Sequence, residues 1–452
     1  MNAVLAGAWG KSGIRLASRV AVLGCGGRKP NQDSHANHFL IAGRKRRGSE
    51  LDFQIASSIM TFGHFFIFVL GAIAIFGVTT STIYSLMVGA AVHRFRRRTG
   101  EVAEPAFQPP VSLLKPLHGD EPELERNLTS FFEQDYPHYE ILFCARHSND
   151  AGLAVARRVA ERFPGIPSRI LTCGEPPWPN ARTYSLEVMR RAASYPILVT
   201  SDSDVRVGPG YLSAVVGPLA DPAVGMVTCV YRGVNRHGIW TQFEAMGMSV
   251  EMTAGVLVAE MLEGMKFALG PTMVMRQSTV EKIGGFAKVA EYYADDFILG
   301  SWTAQAGEVV VLSTYVIEHH VVNASFKDSI AHQQGWATST RFSRPWGHLG
   351  EVLTYAVPFG LLGVAALGAA HHLGLGLALV AITVLDRVLL CRLVAGCVVD
   401  DRAALRWAWL YPLRDLMSFF FWMRSYFGSR RLRYRGDPYE LLAEGRLRKL
   451  DR

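Results

Sequence analysis

Hydrophobic positions along this chain fall into three regimes. From Phe62 to Val92 apolar residues run almost unbroken, through Ile67, Leu70, Ile73 and Leu86. That is longer than the roughly 20 residues a helix needs to cross a bilayer, so 62–92 is expected to be a transmembrane helix. It ends on His93-Arg94-Phe95-Arg96-Arg97-Arg98, a basic flank that marks a cytoplasmic end under the positive-inside rule. Between Val111 and about Arg344 short apolar runs alternate with amphipathic stretches. Val111–Leu114, Glu140–Cys144, Arg169–Leu171 and Pro196–Thr200 read as strands, Glu123–Phe132 and Asp150–Phe163 as helices. This rhythm predicts an α/β domain over 106–345, a mostly parallel sheet covered by helices.

After Gly350 the pattern is membrane-like again. Val352–Ala370, Leu373–Val399 and Trp407–Phe427 are candidate spans, the second carrying Asp386, Arg387 and Arg392, the third Arg414 and Asp415. Ionic residues in mid-segment are costly unless they face protein or water. Three full spans would also put the basic residues Arg430–Arg435 on the non-cytoplasmic side. One segment of 350–429, the one around Arg414-Asp415, is therefore expected to be interfacial or re-entrant, and 430–452 a basic cytoplasmic tail. Residues 1–58, rich in Gly, Arg and Ser and carrying the basic run Arg44–Arg47, are expected to be a poorly ordered extension without a signal peptide. Met60, directly before the first apolar run, marks an alternative start.

Composition narrows the class. Apolar residues make up 49% of the 452, charged residues 19%, and the net charge is +8. The positive charge sits at the edges of apolar segments, which points to membrane lipids as partners; no aromatic-interleaved basic groove for nucleic acid is visible. Six cysteines are scattered without a C-x-x-C pair, which fits a reducing compartment.

Two acidic signatures carry the chemistry. Ser201-Asp202-Ser203-Asp204 follows the strand-like run ending at Thr200, and Asp295-Asp296 lies about ninety residues further on. Carboxylates at the C-terminal end of a parallel strand sit where open α/β sheets bind ligands. Asp202 and Asp204, two apart, project to one side of an extended segment, and paired hard oxygens suit Mg²⁺ or Mn²⁺. An Asp-rich turn capping the next helix is the plainer alternative, and the second acidic pair together with the membrane segments weighs against it.

From about Pro110 to the C-terminus the chain resembles the ceramide glucosyltransferase family, membrane-bound inverting enzymes with a GT-A nucleotide-sugar fold. The stretches that carry the resemblance are Val111–Gly119, Ser130–Glu140, Asp202–Val207, Gly284-Gly285-Phe286, Ala294–Phe297 and Arg433–Gly436 followed by Glu440-Leu441-Leu442. Bacterial hopanoid glycosyltransferases are similar over the same stretches. The resemblance implies a UDP-sugar donor and a ceramide-like lipid acceptor, with Asp296 as the base that takes the acceptor's proton and Asp295 beside it. It assigns Asp202 and Asp204 to the metal, Asp202 also to ribose, and leaves both Asp120 and Glu121 as nucleotide contacts. The family's (Q/R)-x-x-R-W motif falls on His332-Gln333-Gln334-Gly335-Trp336, so glycine replaces the arginine that would neutralise the leaving diphosphate. Arg341 or His332 are the candidates to substitute, and Trp336 to stack on sugar or acceptor. Arg182 stands where relatives commonly carry lysine. The Met-rich stretch Met246–Met265 reads either as an acyl-chain entrance or as a core or interfacial helix. The apolar runs and the basic flank at His93–Arg98 lead us to expect a multi-pass protein with its catalytic domain in the cytoplasm, and the Arg-over-Lys bias with the Ala/Gly richness a bacterial inner membrane rather than the Golgi. A hopanoid transferase, a processive polysaccharide synthase and a membrane scaffold that has lost catalysis at Gly335 remain the alternatives.

Overall fold

The structure, a computed structural model, describes residues 36–99, 107–235, 238–321, 323, 325–434 and 437–450, with side chains from 62 onward except 432–437. Two units are distinguished, Met1–Gly63 and His64–Arg452. The first 35 residues of the expected extension lie outside the described residues. From Ala36 the chain is helical, α1 (Ala36–Thr99), so the helix starts well before the predicted span. The Arg44–Arg47 run, built of good helix formers, lies within it.

The second unit contains the expected α/β domain. Strands β1 (Val111–Pro116), β2 (Tyr139–Ala145), β3 (Ser168–Thr172) and β4 (Ile197–Ser201) alternate with helices α2 (Leu124–Phe132), α3 (Ala151–Glu161) and α4 (Ala181–Ala192). There follow β5 (Val205–Arg206), α5 (Tyr211–Val216) and β6 (Val224–Val234). Next come α6 (Gly238–Met246) and α7 (Thr253–Glu263), joined by a π-helical turn, Gly247–Met252. Then β7 (Thr272–Arg276), α8 (Gln277–Lys282), α9 (Gly285–Lys288), α10 (Asp295–Gln305) and β8 (Val309–His320) complete an eight-stranded sheet of order β3-β2-β1-β4-β7-β6-β8-β5. The four strands of the first half are parallel, whereas β7 runs antiparallel to both β4 and β6. Alternate residues feed opposite faces: Leu113 joins the core beneath α2, α3 and α5, and Leu114 the core beneath α4 and α7.

The C-terminal part comprises α11 (Phe326–Ser343), α12 (Pro345–Gly350), α13 (Val357–Ala369), α14 (Leu373–Cys397), α15 (Arg402–Arg406) and α16 (Tyr411–Phe427). Among the described residues three helical segments are long and apolar enough to cross a membrane: Phe62–Thr99, Gly238–Glu263 and Leu373–Cys397. A fourth arises if the pair Pro345–Thr354 and Val357–Ala369, bent by 55°, counts as one span. Phe65, Phe66, Phe68 and Leu86 of α1 and Leu375, Leu377 and Leu385 of α14 point outward, as lipid-facing side chains do. Gly238–Glu263 differs. Met246, Val250 and Leu257 are buried between the sheet and the inner faces of α1 and α14, so the Met-rich stretch packs as core at the described positions.

The ionic residues of the apolar C-terminal segments find protein partners. Arg387 reaches Asp386 at 2.6 Å, Ser85 Oγ at 2.7 Å and Asp415 at 3.4 Å. Asp415 in turn accepts from the N–H groups of Ala356 and Val357 at the start of α13. Its neighbour Arg414 pairs with Glu251 at 3.0 Å and donates to Gln333. The 17-residue α16 thus turns Arg414 and Asp415 inward, where partners replace water.

The segment expected as a basic tail folds as a three-stranded antiparallel sheet: β9 (Arg431–Tyr434), β10 (Asp437–Leu441) and β11 (Leu447–Lys449). Tyr439, Leu441 and Leu447 pack with Tyr293 and Phe342. Backbone bonds from Leu447 N to Glu291 O and from Tyr293 N to Gly445 O fasten it to the loop just before Asp295-Asp296.

Helix α10 comes into close backbone contact through Gly300. A Cβ there would stand 2.3 Å from Ala268 N and from the Phe267 carbonyl carbon. Gly300→Ala should therefore destabilise the protein by about 1–3 kcal/mol, as overpacking does. A thermal melt in detergent checks this; an unchanged midpoint would contradict the contact.

Candidate functional site

Strands β1 and β4 are parallel neighbours, Leu114 beside Thr200, so the residues that follow both emerge at one sheet edge. Lys115, fully buried, directs its Nζ at Asp202 O (2.5 Å) and Ser201 Oγ (3.4 Å) and lies over the Phe131 ring at 3.7 Å. Burial pulls its pKa down to about 7, against the opposing pull of Asp202, Asp204 and Glu121. The lysine shapes the acidic turn from below.

Arg182 brings the second signature to the first. Asn180 caps α4, its Oδ1 accepting from Arg182 N at 3.0 Å, while its Nδ2 donates to Tyr292 O at 2.9 Å. From that helix start Arg182 points three nitrogens at three chain segments. Nε donates to Asp202 at 2.8 Å, one terminal nitrogen to Asp295 at 2.5 Å, and the other to Gly270 O at 2.8 Å. The Gly270 N–H then donates to Asp296 at 2.6 Å, and a Cβ on Gly270 would lie 3.0 Å from that carboxylate. Burial raises Asp295, with Arg182 drawing it back, and raises Asp296 to about 6, the neighbouring Asp295 adding to the effect. Asp296 is half-buried, with one oxygen on Gly270 N and the other on Phe297 N.

Asp204 is held differently. Its Oδ1 is buried without a hydrogen-bond donor, and His319 Nε2 stands 3.4 Å away. Burial and the Asp202 charge push its pKa up to about 7, while His319, buried, falls to about 4. An underserved carboxylate oxygen beside a second carboxylate fits a hard divalent cation that completes its shell with phosphate oxygens and water. Among the described residues no cluster of three His, Cys, Asp or Glu side chains forms a cage by itself. Asp202 and Asp204 are the residues that could hold such an ion.

Of the remaining candidates, Glu121 is half-buried and within electrostatic reach of Lys115 and His319, whereas Asp120 is exposed. That favours Glu121 on the site side. His332 and Trp336 share one face of α11, their rings 4.3 Å apart, and Trp336 packs on the cluster of Ala245, Met248 and Val321 together with Tyr231. The Tyr231 ring lies against His319, centroids 5.1 Å apart and tilted by 31°, which ties this face to the acidic turn. Arg341 is not brought to the carboxylates. It donates to Ser425 O at 2.5 Å and lies over Tyr426, drawn to the C-terminal end of α16, whose carbonyls attract a cation. A Cβ on Gly335 would meet nothing nearer than the Tyr293 hydroxyl at 4.0 Å.

The sequence pattern does not single out Lys115, Gly270 or His319 as site residues. Lys115 had a signal, a lone charge inside an apolar strand. Gly270 and His319 had none, because their roles come from strands β7 and β8 closing beside β4 and β5.

Replacing Arg182 by methionine should cost about 3–5 kcal/mol, since it leaves buried Asp295 without its cation. Lysine should restore only part, because one ammonium cannot meet three divergent acceptors. Chemical denaturation of the three proteins checks the order; equal stability of the wild type and the methionine variant would contradict it.

The family model described as glycosyl transferase family 21 matches residues 73–447. Ceramide glucosyltransferase 1 of Caenorhabditis elegans is 28% identical over 239 residues, 53% of this chain and 51% of that protein. Ceramide glucosyltransferase 3 of the same organism is 24% identical over 340 residues, 75% of this chain and 70% of that protein. The chain thus spans about half the length of the first of these relatives. A mannosyltransferase from Pyrobaculum calidifontis, in complex with GDP-Man and Mn²⁺, aligns over 79% of this chain and 99% of its own with a TM-score of 0.47 and 19% identity. With the family match covering most of the sequence, the chain belongs to glycosyl transferase family 21.

Proposed function

We propose that this membrane protein transfers glucose from UDP-glucose to the primary hydroxyl of a ceramide-type lipid, with inversion at the anomeric carbon. The observation that carries the reading is the Arg182 clamp, which sets an acidic turn suited to a metal-bound diphosphate beside a second carboxylate, Asp296, suited to proton removal. The names of the relatives support glucose and ceramide. Outward-facing apolar helices packed directly on the core of the α/β domain support a lipid acceptor. The basic end of α1, Arg96–Arg98, supports a cytoplasmic domain, with a bacterial inner membrane as the site.

In this mechanism Asp296 accepts the acceptor's hydroxyl proton as the oxygen bonds to the anomeric carbon. The bond from that carbon to the diphosphate breaks, and UDP leaves with the electron pair. Burial matters here: a carboxylate raised to about 6 is a stronger base than one in water and is still largely ionised near neutrality. The two backbone N–H groups on Asp296 fix its orientation. Asp202 and Asp204 would hold Mg²⁺ or Mn²⁺, which when bound supplies positive charge to the leaving diphosphate. In this reading Glu121 would accept from uracil or ribose, and Trp336 would stack on sugar or acceptor.

Asp296→Asn should bind UDP-glucose nearly as the wild type does and lose transfer by ~10²–10⁴-fold, the usual effect of removing a general base. Because the base works only unprotonated, wild-type transfer should fall on the acid side around pH 6. Radiolabelled glucose transfer to ceramide in vesicles measures both, and wild-type turnover by the variant removes Asp296 from the mechanism.

EDTA should abolish transfer, and Mg²⁺ or Mn²⁺ should restore it, because the diphosphate would otherwise face Asp202 and Asp204 unscreened. Full activity after exhaustive chelation would exclude the metal assignment.

A further inference from the structure

Two cysteines at the end of the β2–β3 pair take no part in the mechanism above. The parallel register that sets Ala145 beside Thr172 continues past β3, with Cys173 N donating to Ala145 O at 3.0 Å and Gly174 N to Arg146 O at 2.9 Å. Cys173 thus stands beside Arg146, two positions on from Cys144, and both thiols project from the same face of the sheet. Their sulfurs share one carbonyl oxygen, Ala145 O, reached from Cys144 at 3.9 Å and from Cys173 at 3.5 Å, and the two thiols are in hydrogen-bond contact with each other. Cys144 is buried, while Cys173 is half-buried and also meets Ser185 Oγ at 3.6 Å.

The two thiols differ in reactivity. Contact with Cys144, helped by Ser185 and by the charge of Arg146, draws Cys173 down to about 6 against the opposing effect of burial. The same contact, together with burial, pushes Cys144 upward. Cys173 is therefore a thiolate near neutrality with access to solvent, the form that attacks an oxidant, and Cys144 is a neutral thiol in reach behind it. The nearby charges are Arg146, Glu175 at 3.5 Å from it, and His147 at 3.3 Å from Glu175. Cys173 also opens the segment Cys173–Asn180, which holds three prolines and ends on the residue that caps α4 just ahead of Arg182. Prolines stiffen such a segment, so a displacement at Cys173 is carried towards Asn180.

We propose that Cys173 and Cys144 are a thiol-modification site at which a hydroperoxide forms an intramolecular disulfide, and that the cross-link, by shifting the Cys173–Asn180 loop, weakens nucleotide binding. In the first step the Cys173 thiolate bonds to the terminal peroxide oxygen and the O–O bond breaks. The other oxygen leaves with the electron pair and takes up a proton, and Cys173 becomes a sulfenic acid. In the second step the Cys144 sulfur bonds to the Cys173 sulfur, the S–O bond breaks, and hydroxide leaves with the Cys144 proton as water. Two thiols are oxidised and one hydroperoxide is reduced; a dithiol reductant reverses the change. In a reducing compartment such a bond is transient and reports oxidant. The effect on nucleotide rests on the donor-site reading above, whereas the cross-link itself does not.

The test treats the reduced full-length protein in detergent with hydrogen peroxide, blocks the remaining thiols and maps non-reduced peptides by mass spectrometry, beside calorimetry of UDP binding with Mn²⁺. The Cys144–Cys173 cross-link should form first, while the buried Cys229 and Cys391 stay reduced. UDP affinity should fall about fivefold, what one lost capping hydrogen bond costs, and return once dithiothreitol has reduced the protein and been removed. Cys173→Ser should keep its affinity through the same treatment. Cys144→Ser should stop at a sulfenic acid on Cys173, captured by dimedone; if that buried variant folds poorly, the peptide map and Cys173→Ser still decide. A Cys173 that stays reduced, or that pairs with a different cysteine, overturns the site. A cross-linked protein with unchanged UDP affinity, or an equal loss in Cys173→Ser, overturns the coupling to nucleotide. A reduced wild type that binds no UDP overturns the donor-site reading and the coupling with it, and the peptide map then decides the cross-link alone.

Discussion

The Arg182 guanidinium is the constraint on which the rest of the site depends. Asp202 and Asp295 are distant in sequence, and both are drawn out of water. Two like charges cannot share such a space unless a cation lies between them. Arg182 meets both with different nitrogens and uses its third to fix the Gly270 carbonyl, whose own N–H holds Asp296. A planar fork can serve three divergent acceptors where a single ammonium cannot, which gives the arginine here a structural reason of its own. The antiparallel entry of β7 between β4 and β6 is what delivers Gly270 to this point.

The apolar helices are part of the same construction. The inner faces of α1 and α14 share a core with the α6–α7 segment and the sheet. The inward-facing Arg414 ties α16 to Glu251 and to Gln333 of α11, the helix that also carries His332 and Trp336. The small C-terminal sheet fastens to residues 291–293, directly ahead of Asp295. The apolar helices and the α/β domain thus share one core, and the α11 face and the loop ahead of the carboxylates are held by direct contacts to the C-terminal segments.

The parallel half of the sheet was legible because each of its strands is an apolar run closed by a polar turn, and β1 to β4 fall where those runs lie. The acidic turn after β4 was legible for the same reason. The antiparallel half was not, since β6 and β8 are long and only partly apolar, and no local pattern says that β7 inserts between β4 and β6. The ionic pair Arg414-Asp415 marks its segment as unsuited to lipid, but its partners lie on α11, α14, the start of α13 and the π-helical turn, which pattern alone cannot pair. The basic residues after 430 suggested a tail. The alternation of Leu432, Tyr434, Tyr439 and Leu441 with charged residues is the strand signal that the charge obscured. Arg341 lies on the same helix as His332, yet it faces α16, because nine positions along a helix turn a side chain to a different face.

The central claim is that the two acidic signatures form one donor site around Arg182. A cryo-electron microscopy map of the protein in nanodiscs with UDP and Mn²⁺ tests it most directly. The account predicts metal density against Asp204 and Asp202, the diphosphate beside it, and Asp296 facing the same cavity with the Arg182 contacts intact. A diphosphate bound away from Asp202 and Asp204, for example against Arg158 and Arg162 at the far end of the groove of about 680 Å³ between α2 and α3, would contradict it.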